Sequence, residues 1–423
     1  MYSLAIYLYM LGIILVSPFH RKARAMFKGR LKTYLTLRRK VDKSKRYVWF
    51  HAASLGEFEQ GRSLMERFRS QHPEYQILLT FFSPSGYEVR KNYEGADIIC
   101  YMPVDTRLNA IRFLRLVRPV MAFFIKYEFW SNFLHILKHR NIPTYSVSSI
   151  FREDQVFFKW YGRSYANVLK CFTRFFVQNE ESKRLLESIG IKDVDVVGDT
   201  RFDRVLQIKE AAKHLPICEA FRSGVAGSDS AASSEKASHP DYKVFVAGSS
   251  WPPDEEIFIR FFNEHKDWRL LIAPHVIAEE HLKLILSLLK DKKVVRYTQT
   301  TPEEAAKADV LIIDCFGLLS SMYNYGDVAY IGGGFGVGIH NTLEAAVWNM
   351  PVIFGPNNKK FQEAQGLLKS GGGFEINTYE DFEGLMSSMM NDAAFLKQAG
   401  DEAGAFVASL SGATDKVLAK VTL

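Results

Sequence analysis

The stretch His51-Ala52-Ala53-Ser54-Leu55-Gly56-Glu57 runs from an apolar segment through a small-residue turn to a carboxylate placed where a helix should begin. Backbone amides at such a turn hold an anion or a substrate oxygen. A carboxylate there is well placed to take a proton from a bound hydroxyl. The plainer reading is that Glu57 is a first-turn residue favoured by the helix dipole. A second acid, Glu128 in Lys126-Tyr127-Glu128-Phe129-Trp130, follows the apolar run Val-Met-Ala-Phe-Phe-Ile. Two glutamates at the ends of two strands of one sheet point to a site more strongly than either alone. Arg201, in Gly198-Asp199-Thr200-Arg201-Phe202-Asp203, offers a planar fork for phosphate or carboxylate. It is equally suited to an ion pair with Asp199 or Asp203.

In the second half, Val328-Ala329-Tyr330-Ile331 leads into Gly332-Gly333-Gly334-Phe335-Gly336-Val337-Gly338 and then Ile339-His340-Asn341-Thr342-Leu343-Glu344. A strand, a glycine loop and a helix start let backbone approach a phosphate closely, with the helix dipole behind it. No Gly-Lys-Ser/Thr follows, so this is not a P-loop. Asn341 and Glu344 have the spacing of a capping box, which would tie Glu344 to its own helix. As a site residue, Glu344 would instead accept from ribose hydroxyls, and both readings stand. There is no HExxH motif, and no DxD pair sits in a loop suited to a nucleotide-bound cation. No metal and no other cofactor is therefore expected, and phosphate charge would be met by amides and basic side chains.

These residues need scaffolds to hold them. After residue 46, short β-branched or aromatic runs alternate with helical stretches, the pattern of parallel sheets covered by helices. Seven strands are expected in the first half, from Tyr47–Ala53 to Asp193–Gly198, and six in the second, from Lys243 to Pro351–Phe354. The fold class is thus α/β: two doubly wound Rossmann-like domains, expected at 47–222 and 242–423, facing across a cleft that closes to exclude water. The last helix either completes the second domain or crosses back to the first. Residues 223–241, rich in Ser, Ala and Gly, read as a flexible linker or insertion.

The charge is uneven. Of 54 Lys and Arg, 12 fall in residues 20–46, where Asp42 is the sole acid, leaving 42 basic against 46 acidic residues from 47 onward. A uniformly basic nucleic-acid binder is thereby excluded. The basic segment follows an apolar run, Tyr2–Phe19, which as one helix would be about 27 Å long, marginal for a hydrocarbon core of about 30 Å. A cleaved signal, a single anchor and an interfacial helix compete, with a solvated linker the bland reading of the charges. Positive charge after the run would place the rest of the chain on the cytoplasmic side, next to anionic lipid. Removing residues 1–46 should then leave a folded protein. Four scattered cysteines, with no zinc-ligand spacing, suit a reducing compartment.

Taken in order, HAxSxGE, the Glu-x-Trp segment, GDTRFD, AGSSWPPDEE, LLIAPH and GIHNTLEAAVWNMPVIFGP resemble the 3-deoxy-D-manno-octulosonic acid (Kdo) transferases of lipid A, over nearly the whole chain. The resemblance implies the glycosyltransferase B fold and an inverting, metal-independent transfer of Kdo. The donor would be CMP-Kdo and the acceptor a lipid A precursor, at the cytoplasmic face of the inner membrane. It implies Glu57 as general base, Glu128 and Arg201 as stabilisers of the transition state, and the Ser54–Gly56 turn at the acceptor. CMP-Kdo contacts are implied for Pro274, His275, Phe316, Gly317, Leu318, Gly333, Asn341, Thr342, Leu343 and Glu344. Two places depart from the family pattern: Pro274-His275 stands where Pro-Arg is usual, and Phe316-Gly317-Leu318 where Met-Gly-Glu is usual. A B-fold enzyme using a UDP-sugar, and a membrane-tethered sugar-nucleotide binder without turnover, are the alternatives.

Overall fold

In the computed structural model, which describes residues 2–225 and 242–422, the chain forms two α/β units. One runs to Arg204 and regains the chain from Leu410; the other is Val205–Ser409.

The first unit holds seven strands: β1 (Arg46–Ala52), β2 (Tyr75–Phe81), β3 (Ile98–Tyr101), β4 (Pro119–Ile125), β5 (Thr144–Ser149), β6 (Arg174–Val177) and β7 (Val194–Val196). Their order is β3-β2-β1-β4-β5-β6-β7, and every neighbouring pair is parallel. Helices cover both faces, so the strands are buried on both sides and read as continuous apolar runs. Successive residues of β1 feed opposite cores. Tyr47 and Trp49 pack with Leu78 and Phe124, whereas Val48 and Phe50 pack with Phe81 and Phe123. The strand order reverses between β1 and β4, and the crevice beyond their carboxyl ends is where open α/β sheets bind ligands.

The second unit repeats the plan with β8 (Lys243–Ser250), β9 (Trp268–Pro274), β10 (Val294–Arg296), β11 (Val310–Ile312), β12 (Val328–Ile331), β13 (Val352–Phe354) and β14 (Gly373–Glu375). The order is β10-β11-β9-β8-β12-β13-β14, again parallel throughout. Here the reversal lies between β8 and β12. Strand β14 is the one element of either sheet that the sequence pattern does not announce.

The boundaries differ from expectation. The second unit begins near Val205 rather than after 222, because the helix Pro216–Ser223 belongs to its core. The Leu215 amide donates to the Tyr325 hydroxyl at 2.8 Å, and Arg222 pairs with Asp327 at 3.3 Å. Ser223 closes that helix and Gly224 takes φ 74°; the rest of the expected linker, residues 226–241, lies outside the described residues. At the other end, the helix Ala393–Ser409 belongs to the second unit, while the helix Ala413–Leu418 returns to the first.

The apolar N-terminal run is not one helix. It is α1 (Tyr2–Val16), and a turn at Ser17-Pro18 precedes α2 (Arg21–Lys40), the two axes bent by 117°. At 1.5 Å per residue α1 is about 22 Å long rather than 27. Among the described residues no single helix is long and apolar enough to cross a membrane. Nor is α2 a detachable collar. Leu37 is fully buried, the Thr33 hydroxyl donates to the Tyr101 carbonyl at 2.9 Å, and the Tyr34 hydroxyl donates to the Asn109 carbonyl at 3.1 Å. The segment expected to be separable at residue 46 thus supplies core to the first unit.

Candidate active site

At the end of β1 the chain turns at Ala53 and Ser54 into α3 (Leu55–Gln71). Ser54 is the N-cap but makes no capping bond to the helix amides. Its hydroxyl donates instead to Glu57 Oε2. Glu57 is the third residue of α3, half-buried, and Gly56 beside it is exposed. The helix therefore starts two residues before Glu57, and one oxygen of that carboxylate is held in place by Ser54.

Glu128 reaches the same edge from β4. Lys126 takes φ 67°, a left-handed turn that carries the chain out of the sheet. Glu128 Oε2 accepts the indole N–H of Trp130 at 2.6 Å and lies 3.1 Å from His51 Nε2. His51 is fully buried, with Nδ1 2.8 Å from the Thr80 hydroxyl, and that hydroxyl accepts the Trp49 indole N–H at 2.8 Å. A carboxylate oxygen accepts, so His51 Nε2–H is the donor to Glu128. Thr80 accepts from Trp49 and donates to His51 Nδ1, and His51 Nε2–H donates to Glu128. With a proton on Nε2, His51 Nδ1 is the acceptor for the Thr80 hydroxyl.

Arg201 completes this edge through Asp199. Its backbone amide and Nε donate to the two Asp199 oxygens at 2.9 Å each, and its Nη2 lies 2.8 Å from Oδ2. Asp199 is buried and also accepts from Gln60 Nε2 on α3 at 2.8 Å. Of the two partners expected for Arg201, Asp199 is the one found here, because Asp203 accepts from the Gly412 and Thr414 amides. Tyr127 ties the parts together. Burial chiefly raises its pKa, Arg152 opposes this, and the charges of Asp199 and Glu57 add to it. The two glutamates flank the reversal between β1 and β4, with Tyr127 and the Asp199–Arg201 pair alongside.

In the second unit the groups again gather where the strand order reverses. After β8, Trp251 donates from Nε1 to His340 Nε2 at 3.3 Å, and His340 follows β12. His275, just past β9, lays its ring over both, with centroids 4.7 Å from Trp251 and 4.4 Å from His340. Burial first, then His275, lowers the pKa of His340. Pro274 is buried in β9, while Phe316, beyond β11, is 80% exposed. Gly317 takes φ 84° and Leu318 caps the short helix Leu319–Met322.

The glycine loop corrects one expectation. Its glycines fit the chain to itself: a Cβ on Gly334 would lie 2.5 Å from the Gly355 backbone, and one on Gly332 2.3 Å from the Ser249 carbonyl. The Gly333 amide, expected at the donor phosphate, donates to the buried Asp254 carboxylate at 2.9 Å. The amides of Gly336, Gly338 and His340 are also used within the loop. Asn341 accepts from the Leu343 amide at 3.2 Å and donates to Glu344 at 2.9 Å, so Thr342 rather than Asn341 is the N-cap. Thr342 is buried, and its hydroxyl has no partner among the described residues. His135 and His139 lie one turn apart on the helix Ser131–His139, but no cluster of three or more metal-ligating side chains occurs among the described residues.

Residues 26–204 match the family model described as 3-deoxy-D-manno-octulosonic-acid transferase (kdotransferase). A 3-deoxy-D-manno-octulosonic acid transferase of Aquifex aeolicus is 26% identical over 352 residues, covering 81% of this chain and 86% of that one. A bifunctional glycosyltransferase/methyltransferase of Fusobacterium nucleatum is 26% identical over 390 residues, and the chain spans 57% of its length. Over most of its length the chain is thus similar to Kdo transferases. Among solved structures, a UDP-GlcNAc 2-epimerase from Neisseria meningitidis bound to UDP-GlcNAc superposes with a TM-score of 0.58 at 14% identity, covering 88% of this chain and 98% of that one. The shared architecture is the glycosyltransferase B fold.

Several groups that shape the site carry no signal of their own in one sequence. Thr80 and Trp49 are apolar-strand residues until the register pairs His51 with Thr80 across β1 and β2. Asp254, four residues past β8, emerges as the support of the glycine loop only through its bonds to the Gly333 amide and to the Tyr330 hydroxyl at 2.8 Å. The Trp251-Pro-Pro-Asp254 motif was the available clue, since Asp254 also accepts from the Trp251 amide at 2.9 Å.

Proposed function

We propose that the chain transfers Kdo from CMP-Kdo to a lipid A precursor in lipopolysaccharide biosynthesis, inverting the anomeric centre without a metal, at the cytoplasmic face of the inner membrane. The observation that carries the mechanism is the pair of glutamates at the carboxyl ends of β1 and β4, one held by Ser54 and the other by His51 and Trp130. Glu57 takes the proton of the acceptor hydroxyl as its oxygen bonds to the anomeric carbon. The bond from that carbon to the CMP phosphate breaks at the same time, and CMP leaves with the electron pair. Glu128 and Arg201 stabilise the positive charge that develops on the sugar and the negative charge of its carboxylate. The second unit holds CMP with Pro274, His275, Phe316–Leu318 and Asn341–Glu344. The apolar α1 and the exposed cations of α2 rest on the anionic membrane surface.

Mass spectrometry of a lipid A precursor incubated with the protein and CMP-Kdo tests this directly. Mass additions of Kdo are expected, and none from a panel of UDP-sugars. General base catalysis contributes about 10²- to 10⁴-fold, so Glu57→Ala should lower turnover by about that factor in a folded protein. An unchanged rate in that variant would remove Glu57 from the mechanism.

A further inference from the structure

The helix α2 carries nine Lys and Arg, and eight of them are exposed. Arg30 alone turns inward. Its guanidinium lies 4.5 Å over the Phe82 ring, and Nη2 makes one long bond, 3.4 Å, to the Phe82 carbonyl. Nε is buried without a partner, and no carboxylate pairs with Arg30 among the described residues. Burial lowers its pKa, and a hydrogen bond with the Tyr9 hydroxyl, with Tyr101 near, opposes this without supplying a carboxylate. A half-buried cation in that state lacks a counter-charge.

Its position is informative. Phe82 follows β2, and the next residue, Ser83, donates its amide to Ala53 at 2.8 Å, at the turn that leads to Ser54 and Glu57. The other neighbours of the Phe82 ring are Trp130 at 4.7 Å, whose indole holds Glu128, and Tyr9 of α1 at 6.0 Å. Arg30 is therefore one ring removed from the residues that hold Glu128 and one strand from the Glu57 turn, beside the apolar helix assigned to the lipid surface.

We infer that Arg30 is an anion-recognition residue of the acceptor site and binds a phosphate group carried by the acceptor lipid. The inference rests on the first unit being the acceptor side of the proposed reaction. The guanidinium fork suits phosphate, and the eight exposed cations of α2 already serve the surrounding lipid. Packing on Phe82 explains why Arg30 is tolerated there, but not why a cation with an unpaired Nε is kept.

The test is calorimetry on the full chain with a deacylated, phosphorylated lipid A disaccharide and with the same sugar after phosphatase treatment, so that no turnover is needed. A charged hydrogen bond to phosphate corresponds to about 10- to 100-fold in affinity. Arg30→Gln should cut the preference for the phosphorylated sugar by that factor, and Arg30→Lys by less, with melting temperatures confirming both folds. An unchanged preference in Arg30→Gln, or an equal loss with both sugars, overturns the inference. So does a loss confined to sedimentation with phosphatidylglycerol vesicles, which would make Arg30 a contact to bulk lipid, or a change only in the apparent CMP-Kdo affinity. Arg38→Gln/Arg39→Gln should weaken vesicle binding while leaving the phosphate preference intact. Failure of the wild type to transfer Kdo would count against the proposed function and not against a phosphate preference measured by binding.

Discussion

Glu128 is useful to a transferase only if its charge stays at one place while a bulky lipid comes and goes, and two donors on one oxygen secure that. Trp130→Phe keeps the ring on Phe82 but deletes the 2.6 Å bond to Glu128. Losing a hydrogen bond to a charged group costs about 1.5–3 kcal/mol, so kcat should fall about 10- to 100-fold, with the acceptor KM nearly unchanged. His51→Gln should lower kcat similarly. Because both donors serve the same oxygen, the double variant should lose less than the product of the two effects, as a double-mutant cycle will show. A second residue-scale consequence concerns His340. Burial and His275 hold its pKa below the usual imidazole value, and protonation would also cost the bond from Trp251. The folded state therefore prefers this imidazole neutral, and the unfolded chain binds the proton first as pH falls. The associated stability is full above about pH 6.5 and is lost as pH drops through the lower folded value. Urea midpoints of the second unit should decline from pH 7.5 to 5.5, and His340→Gln should flatten that decline.

At the level of elements, what the sequence reveals depends on how much of each element's signal is local. Thirteen strands are visible as apolar runs because parallel strands are buried on both faces. Strand β14 is not, since it is three residues long, lies at the sheet edge and opens on Gly373 after two further glycines. The turns carrying Glu57, Glu128 and His340 are equally visible, because each follows a strand that announces itself. The chain behind Glu128 is not, as Trp49, His51 and Thr80 meet only once β1 and β2 are in register. The N-terminal charge misled in the same way. A run of cations reads as solvated, but Thr33 and Leu37 between them face the core, and helical spacing over so few apolar residues is a weak signal. Leu37→Ala should thus cost about 2–5 kcal/mol. Deleting residues 1–19 removes the Tyr2 hydroxyl from the buried Asp105 and should lower the melting temperature modestly, while weakening sedimentation with anionic vesicles. Deleting 1–46 should prevent folding of the first unit, and a soluble, cooperatively melting product would show that α2 is dispensable.

On the scale of the whole molecule, the chain leaves the first unit at Arg204 and returns to it at Leu410, so the first unit is built from two distant stretches. The returning stretch is short but well held. Ala413 and Val417 are fully buried beside β1 and β4, Asp203 accepts the Thr414 amide at 2.7 Å, and the Thr414 hydroxyl meets Ser63 at 3.1 Å. Burying a valine contributes about 1.5–3 kcal/mol, and each hydrogen bond about 1 kcal/mol. Ser63 lies on α3, the helix whose first turn carries Glu57, so the C-terminus braces the element that positions the proposed base. Ending the chain after Ser409 should therefore destabilise the first unit by about 3–5 kcal/mol while sparing the second. Native-state hydrogen exchange separates the two. Amides of β1 and β4 should exchange about 10²- to 10³-fold faster in the truncated chain, and those of β8 and β12 at the original rate. Equal acceleration in both sheets would mean that the two units unfold as one, and no acceleration in β1 would mean that the returning helix is ornament to the first core rather than part of it.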